Sequence, residues 1–436
     1  MPEITETPAI PELIADSSNS GDLAETKLER SKNSIVPVVF FSFVLFLCMG
    51  IAGYVYWNQS VNQNRHSVQM SNPEPPALET SSNSLTPTLA PSSTPKVNIL
   101  PSVSPSPLPT PLQTQTTQAP IKVLSISYFP TIDGKLDTKN HIQDTYGEYN
   151  YSLSEIRKKV QDVQAGAIAL LEEGSRYHGY TNPQAIPYLQ YKIVQEIEHL
   201  EPVPLSDKKY GSLPLPAYTQ MLDRIQICDY IDTQNVREVW LWTYQGTGKS
   251  LWESNFSSPV YQDISNSDRD PNDLPKCAHS YTVYDYNYGR GVSEAVEDHM
   301  HQYEAIFNSV DRELFWNTFV GYFPGGNWAT AHSNNQNRRC GWAHFPPNGQ
   351  KDYDWSNQTT VTTDCENWNP TAYSNPTEIN CSRWGCTSAG YFKWWMQNIP
   401  GFNNNITYQG KELRNWWEFV ADYDAAMTKS DDFFEE

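Results

Sequence analysis

Glu294, Glu297, His301 and Glu304 fall at i, i+3, i+7 and i+10 of a segment whose apolar residues recur at helical spacing, so one stripe of a helix carries carboxylates and an imidazole. Such a stripe can contribute to a divalent metal site. With His344 from far along the chain, Glu297 and His301 make a three-residue ligand set, for which zinc and calcium are the ions to consider. His299 is a further candidate. The apolar face of the same helix is formed by Val292, Val296, Met300, Tyr303 and Phe307, almost opposite the stripe. Taken alone, the stripe is therefore expected to face water. Only coverage by another part of the chain would make it a site.

A second set of groups suits acid and base work without a metal. Glu253 sits in a loop after a strong strand pattern, and Asp352 and Asp354 in KDYDW would point the same way on an extended segment. Glycosidases use two carboxyls held about 5 to 10 Å apart, one of them with a raised pKa. Nine of the 14 tryptophans lie beyond residue 321. Aromatic faces stack on sugar rings, which makes Trp328, Trp355 and Trp384 candidates for substrate binding. Asn287 and Arg290, in the loop after another strand, could supply hydrogen bonds.

Two motifs fail on inspection. Gly246-Thr247-Gly248-Lys249-Ser250 follows a strand like a phosphate-binding loop, but the required first glycine is replaced by Thr243, so a surface turn is expected. Asp268, Asp270 and Asn272 alternate like the start of an EF-hand, but the sixth position is Asp273 and the twelfth His279. An Asx-rich turn, or a looser calcium site with Asp263 and Asn266, remains.

The elements that would position these groups are legible from periodicity. Val123 to Phe129 alternates as a strand and leads to a turn at Asp133-Gly134. Ser152 and Glu155 form a capping box for a helix reaching Gly174. Leu189 to Val194 is a weaker strand and Tyr218 to Ile231 a helix. Val236 to Tyr244 and Tyr281 to Tyr288 are strands, and Val292 to Phe307 is the helix after them. Strands alternating with amphipathic helices predict an α/β fold, a largely parallel sheet with flanking helices. Ligands then gather at the strand C-termini, near Asp133, Gln245 to Glu253 and Asn287 to Gly291. The expected organisation is an α/β domain over 121–320 and a loop-rich, Trp- and Cys-rich region over 321–436 packed on it.

Ahead of these lie three segments of different character. Residues 1–34 hold seven acidic and three basic side chains and no apolar run, as expected of a disordered tail. Ile35 to Trp57 is uncharged and matches the roughly 30 Å hydrocarbon core, which predicts one transmembrane helix acting as an uncleaved signal-anchor. Lys27, Arg30 and Lys32 place the N-terminus in the cytoplasm and the rest outside the cell membrane. Residues 58–120 are a stalk, crowded with Pro, Ser and Thr over 71–120.

The net charge of −20 argues against nucleic acid as a partner. Cys48 lies in the apolar span, leaving six cysteines, whose sequence-local pairing is Cys228 with Cys277, Cys340 with Cys365 and Cys381 with Cys386.

Three functions are compatible with these features. The first is a surface hydrolase of polysaccharide or glycoconjugate using Glu253, Asp352 and Asp354. The second is a glycan-binding or adhesion module without catalysis. The third is a metal-dependent hydrolase at Glu297, His301 and His344.

Overall fold

A computed structural model describes residues 119–142, 149–245, 249–321 and 339–435. The tail over 1–34, the apolar span Ile35 to Trp57, residues 58–118 of the stalk and Trp328 lie outside them. Among the described residues no helix is long and apolar enough to cross a membrane.

The centre is a five-stranded sheet. Its strands in chain order are β1 (Ile121–Tyr128), β2 (Tyr191–His199), β3 (Val236–Thr243), β4 (Ser254–Ser257) and β5 (Tyr281–Asn287). Across the sheet they run β2-β1-β3-β5-β4, parallel except for β4, which pairs antiparallel with β5. The architecture is α/β with a mostly parallel sheet, as the alternation of strand and helix patterns predicts. The apolar runs VLSI and VWLW are buried along almost their whole length, as central parallel strands covered on both faces must be. The chain leaves β1 toward β2 and leaves β3 toward β5, so the direction of winding changes between β1 and β3. Ligand sites of such sheets lie at the C-terminal ends beside that change.

Helix α1 (Leu153–Gly174) begins at Ser152, whose hydroxyl accepts from Glu155 N while the Glu155 carboxylate accepts from Ser152 N. It buries Ile156, Val160, Val163, Ala167 and Leu171, the stripe read from the sequence. Helix α3 (Val292–Val310) crosses it closely: a β-carbon at Gly166 would sit 2.5 Å from Val292 Cγ2. Helix α2 (Tyr218–Arg224) is shorter than its apolar pattern implies. Gln226 has a left-handed backbone, φ 55°, which breaks the helix, and the chain resumes as a single wide turn over Asp229–Thr233. Beyond the break Ile227 and Ile231 are buried, whereas Ile225 and Cys228, which a continuous helix would turn inward, are only partly covered. The edge strand β4 was hidden from a sequence reading by its polar composition, SNFS, yet all four residues are buried.

The Trp-rich region contributes to the same core. Trp416 stacks on Phe433 at 4.1 Å and meets Phe307 of α3 at 5.6 Å, while Trp417 meets Tyr303 at 5.5 Å. Helix α4 (Ser388–Met396) approaches α1 where a β-carbon on Gly174 would lie 2.5 Å from Met396 Cε. Three disulfides join Cys228 to Cys277, Cys340 to Cys365 and Cys381 to Cys386, the sequence-local pairing.

One core residue makes stability depend on pH. Glu238 on β3 is 3% exposed, and its carboxyl accepts from Trp240 Nε1 at 2.8 Å. Burial pushes its pKa from 4.5 up to about 8. Between those values the folded chain holds a proton that the unfolded chain releases, so this group lowers stability as pH rises from 4.5 to about 8, by on the order of 4 to 5 kcal/mol. Glu238→Gln is expected to flatten the pH dependence of the urea midpoint over that window. An unchanged slope in the variant would refute the assignment.

Candidate metal centre

Helix α3 lays Glu297, His301 and Glu304 along one face, as the spacing requires. What covers that face is the segment Cys340 to Phe345, folded into a tight turn in which Trp342 and Phe345 exchange backbone hydrogen bonds. Gly341 makes the turn possible: its φ is 73°, and a β-carbon would lie 2.2 Å from Phe345 O. Tyr391, buried on α4, donates its hydroxyl to Trp342 O and Phe345 O at 3.0 and 3.1 Å. The part of the stripe from Glu297 to Glu304 is thereby largely closed over, with Glu304 8% exposed, while Glu294 at its start faces water as expected.

His344 reaches the helix from this turn. Its Nε2 lies 3.0 Å from His301 Nε2 and 3.0 Å from Glu297 Oε1, and His301 Nε2 is 3.9 Å from the same carboxylate oxygen. Tetrahedral ligands about 2.1 Å from a zinc lie roughly 3.4 Å apart, so these three atoms have the spacing of one face of such a site. Glu253 Oε2 stands 4.0 Å from His301 Nε2 and accepts from Asn266 Nδ2 at 2.7 Å.

An outer partner orients His301. Glu304 Oε2 lies 3.1 Å from His301 Nδ1, while its Oε1 accepts from Ala343 N at 2.8 Å. One carboxylate thus orients His301 and anchors the turn that carries His344. Asp352 Oδ1 lies 3.7 Å from His344 Nδ1. A proton drawn to His301 Nδ1 by Glu304 turns the lone pair of its Nε2 toward His344, whose Nε2 is within hydrogen-bond reach of both that nitrogen and Glu297 Oε1. Burial disfavours the charge on His301, but the hydrogen bond to Glu304 and the charges of Glu253, Glu304 and Glu297 outweigh it and hold the pKa at about 9. Two imidazoles and a carboxylate suit a zinc-type ion; calcium, which takes oxygen ligands, does not fit this set.

The other candidate residues are distributed as follows. Asp352 and Asp354 lie in a turn, not on an extended segment, with Tyr353 between them at φ 62°. They consequently diverge. Asp352 faces His344, whereas Asp354 accepts from Gln350 N and Asn357 Nδ2 at 2.9 and 2.7 Å, which ties its own loop. Trp355 donates to Ala343 O and packs on Phe392, and Trp384 is 6% exposed with its ring against Tyr391 and Trp394. These two rings support the His344 turn from below.

Asn287 accepts from Tyr149 and Gly289 N, and with Arg290, Glu253, Glu294 and Asp298 it lines a cavity of about 140 Å³ at the C-terminal ends of β3 and β5. There burial, together with Glu253, Glu297, Asp285 and Glu294, raises the Asp298 pKa well above the ordinary carboxylate range. His299 belongs to the core, stacked on Tyr284 at 3.8 Å and bonded to Tyr286, and supplies no ligand to the cluster.

Lys249, read as part of a surface turn, is 2% exposed; its ammonium donates to Tyr244 O at 2.6 Å close to the buried Asp285. Asp268 and Asp270 accept from the backbone two residues on, as in Asx turns, and Asp270 pairs with Lys208. Cys228, Asp232 and Cys277 also converge, but both sulfurs are in the disulfide.

Sequence reading missed the role of Glu304 as orienter of His301, although the i, i+3 spacing was its signal. The chain was compared with protein-family models and with curated proteins, and neither comparison found a match.

Proposed function

We propose that this protein is a metal-dependent hydrolase whose ion is held by Glu297, His301 and His344. The observation that carries the reading is the meeting of two imidazole Nε2 atoms and Glu297 Oε1 within 3.0 to 3.9 Å, backed by the Glu304 carboxylate at His301 Nδ1, with Asp352 3.7 Å from His344 Nδ1. Three protein ligands leave a coordination position for water, as catalytic zinc sites do. An ion held there would acidify a bound water. Glu253, beside the ligands and held by Asn266, is placed to act as general base and then general acid in such a hydrolysis. Arg290 and Asn287 stand in the adjoining cavity where substrate polar groups would be bound.

Hydrolysis by paired carboxylates alone is the weaker reading, because Asp354 is occupied in its own loop while Glu253 and Asp352 each face a histidine. The site would work outside the cell, on a domain anchored by Ile35 to Trp57, and the three disulfides support an oxidising compartment.

The test is elemental analysis of the full chain purified without chelators, followed by assays on ester, amide and glycosidic substrates before and after chelation. A stoichiometric first-row divalent ion and a chelator-sensitive activity are expected. A chain that carries no such ion, and takes up none of zinc, manganese, cobalt or nickel on dialysis, is not this enzyme.

A further inference from the structure

A separate cavity lies away from Glu297, His301 and His344. It is a cleft of about 500 Å³, within the roughly 300 to 1,000 Å³ of small-ligand sites, and its wall is the ring of Trp252. Leu215, Pro216 and Ala217 add a second apolar surface, and Gln220 and Asn272 stand at the rim. Tyr210, 57% exposed, lies against the Trp252 ring at 4.7 Å and extends the aromatic surface outward.

The charges around the cleft restrict what it takes. Lys208 is paired with Asp270, while Asp223 and Asp273 face the cavity. An anionic polymer would therefore meet carboxylates and no free ammonium among these residues. A ligand with a flat face of C–H groups and an edge of hydroxyls suits an aromatic and aliphatic wall bordered by amide, hydroxyl and carboxyl groups. Asp273, pushed up to about 7 by burial and then by Asp263, can donate as well as accept near neutrality.

The cleft is also joined to the metal centre through the chain. Trp252 is followed directly by Glu253, and the segment is pinned from beneath, since Trp252 N donates to Tyr218 OH, Tyr218 donates to Asp285, and Asp285 N donates to Glu253 O. Ligand pressed on the indole therefore bears on the residue adjacent to the acid.

We infer that the Trp252 cleft is a saccharide subsite that binds a neutral oligosaccharide by stacking on the indole. This names the substrate class of the hydrolase and rests on that reading only for the step after binding.

The test is isothermal titration of the full chain with chitotetraose and cellotetraose, with a galacturonic acid tetramer and an uncharged tetrapeptide as comparisons, and with metal content measured on the same sample. At least one neutral oligosaccharide is expected to bind, at least tenfold more weakly to Trp252→Ala and at least threefold more weakly to the exposed-rim variant Gln220→Ala. The rim variant keeps the test valid if loss of the indole unfolds the chain. Absence of binding by both neutral oligosaccharides, binding of the peptide or the acidic tetramer alone, or undiminished affinity in the variants overturns the inference. Saccharide binding by a sample that holds no metal and takes up none on dialysis would sink the hydrolase reading and leave the subsite standing.

Discussion

His301→Ala is expected to reduce bound metal to background and hydrolysis by at least about a hundredfold, since a catalytic ion can supply several kcal/mol of transition-state stabilisation. The variant should fold, because His301 sits at the edge of α3 and not in its apolar face, and the cavity it leaves is polar. Glu304→Gln separates ligation from orientation. It retains an acceptor for Ala343 N but loses the charge that favours a proton on His301 Nδ1, so about 10- to 100-fold weaker metal affinity is expected, with activity recovered at high metal concentration. Competition with a chromogenic chelator measures both variants. Equal metal affinity in wild type, His301→Ala and Glu304→Gln would mean that the imidazole pair serves only as a hydrogen bond between helix and turn.

A large stability effect is also expected at Asp364. Its carboxylate, fully buried, receives Nε and Nη2 of Arg339 at 2.9 and 2.5 Å, and the guanidinium also donates to Thr318 O and Asn369 O and lies 5.6 Å over Trp368. Asp364→Ala would leave that cation buried without its counter-ion and is expected to cost about 3 to 5 kcal/mol, read as a shift in urea midpoint. Replacing both partners with apolar residues, Arg339→Met with Asp364→Leu, should recover most of the loss, because neither charge is then stranded. A double variant as unstable as the single one would show that Arg339 acts mainly through its bonds to Thr318 and Asn369. The pair also bears on function. Arg339 opens the segment that carries His344, so Asp364→Ala is expected to weaken metal binding even where the chain remains folded.

Local chemistry and periodicity determined a good part of this molecule. The capping box at Ser152 and Glu155, the apolar stripe of α1, the buried runs of β1 and β3, the parallel sheet and the sequence-local disulfides all follow from contacts between near neighbours or from a repeating pattern that has one way to be buried. The elements that were misread lack such a signal. The strand Ser254–Ser257 is polar and pairs along the edge that β5 offers, and α2 ends at Arg224, ahead of the left-handed Gln226, although a helix was expected as far as Ile231.

The proposed metal ligands Glu297 and His301 were legible as a pair, since four residues along a helix is one turn. Whether that pair faces water or a site was not. The apolar moment of α3 points the stripe outward, and the stripe becomes a site only because a turn some forty residues later closes over it, at a position set by Gly341, Tyr391 and the bond from Ala343 N to Glu304. Asp352 and Asp354 were separated for a related reason: alternation holds on an extended strand, and the positive φ of Tyr353 puts them in a turn. Sequence by itself therefore determined which residues could hold an ion and which helix presents them. Tertiary structure decided that they meet, because convergence of groups distant in the chain depends on long-range packing that no local period encodes.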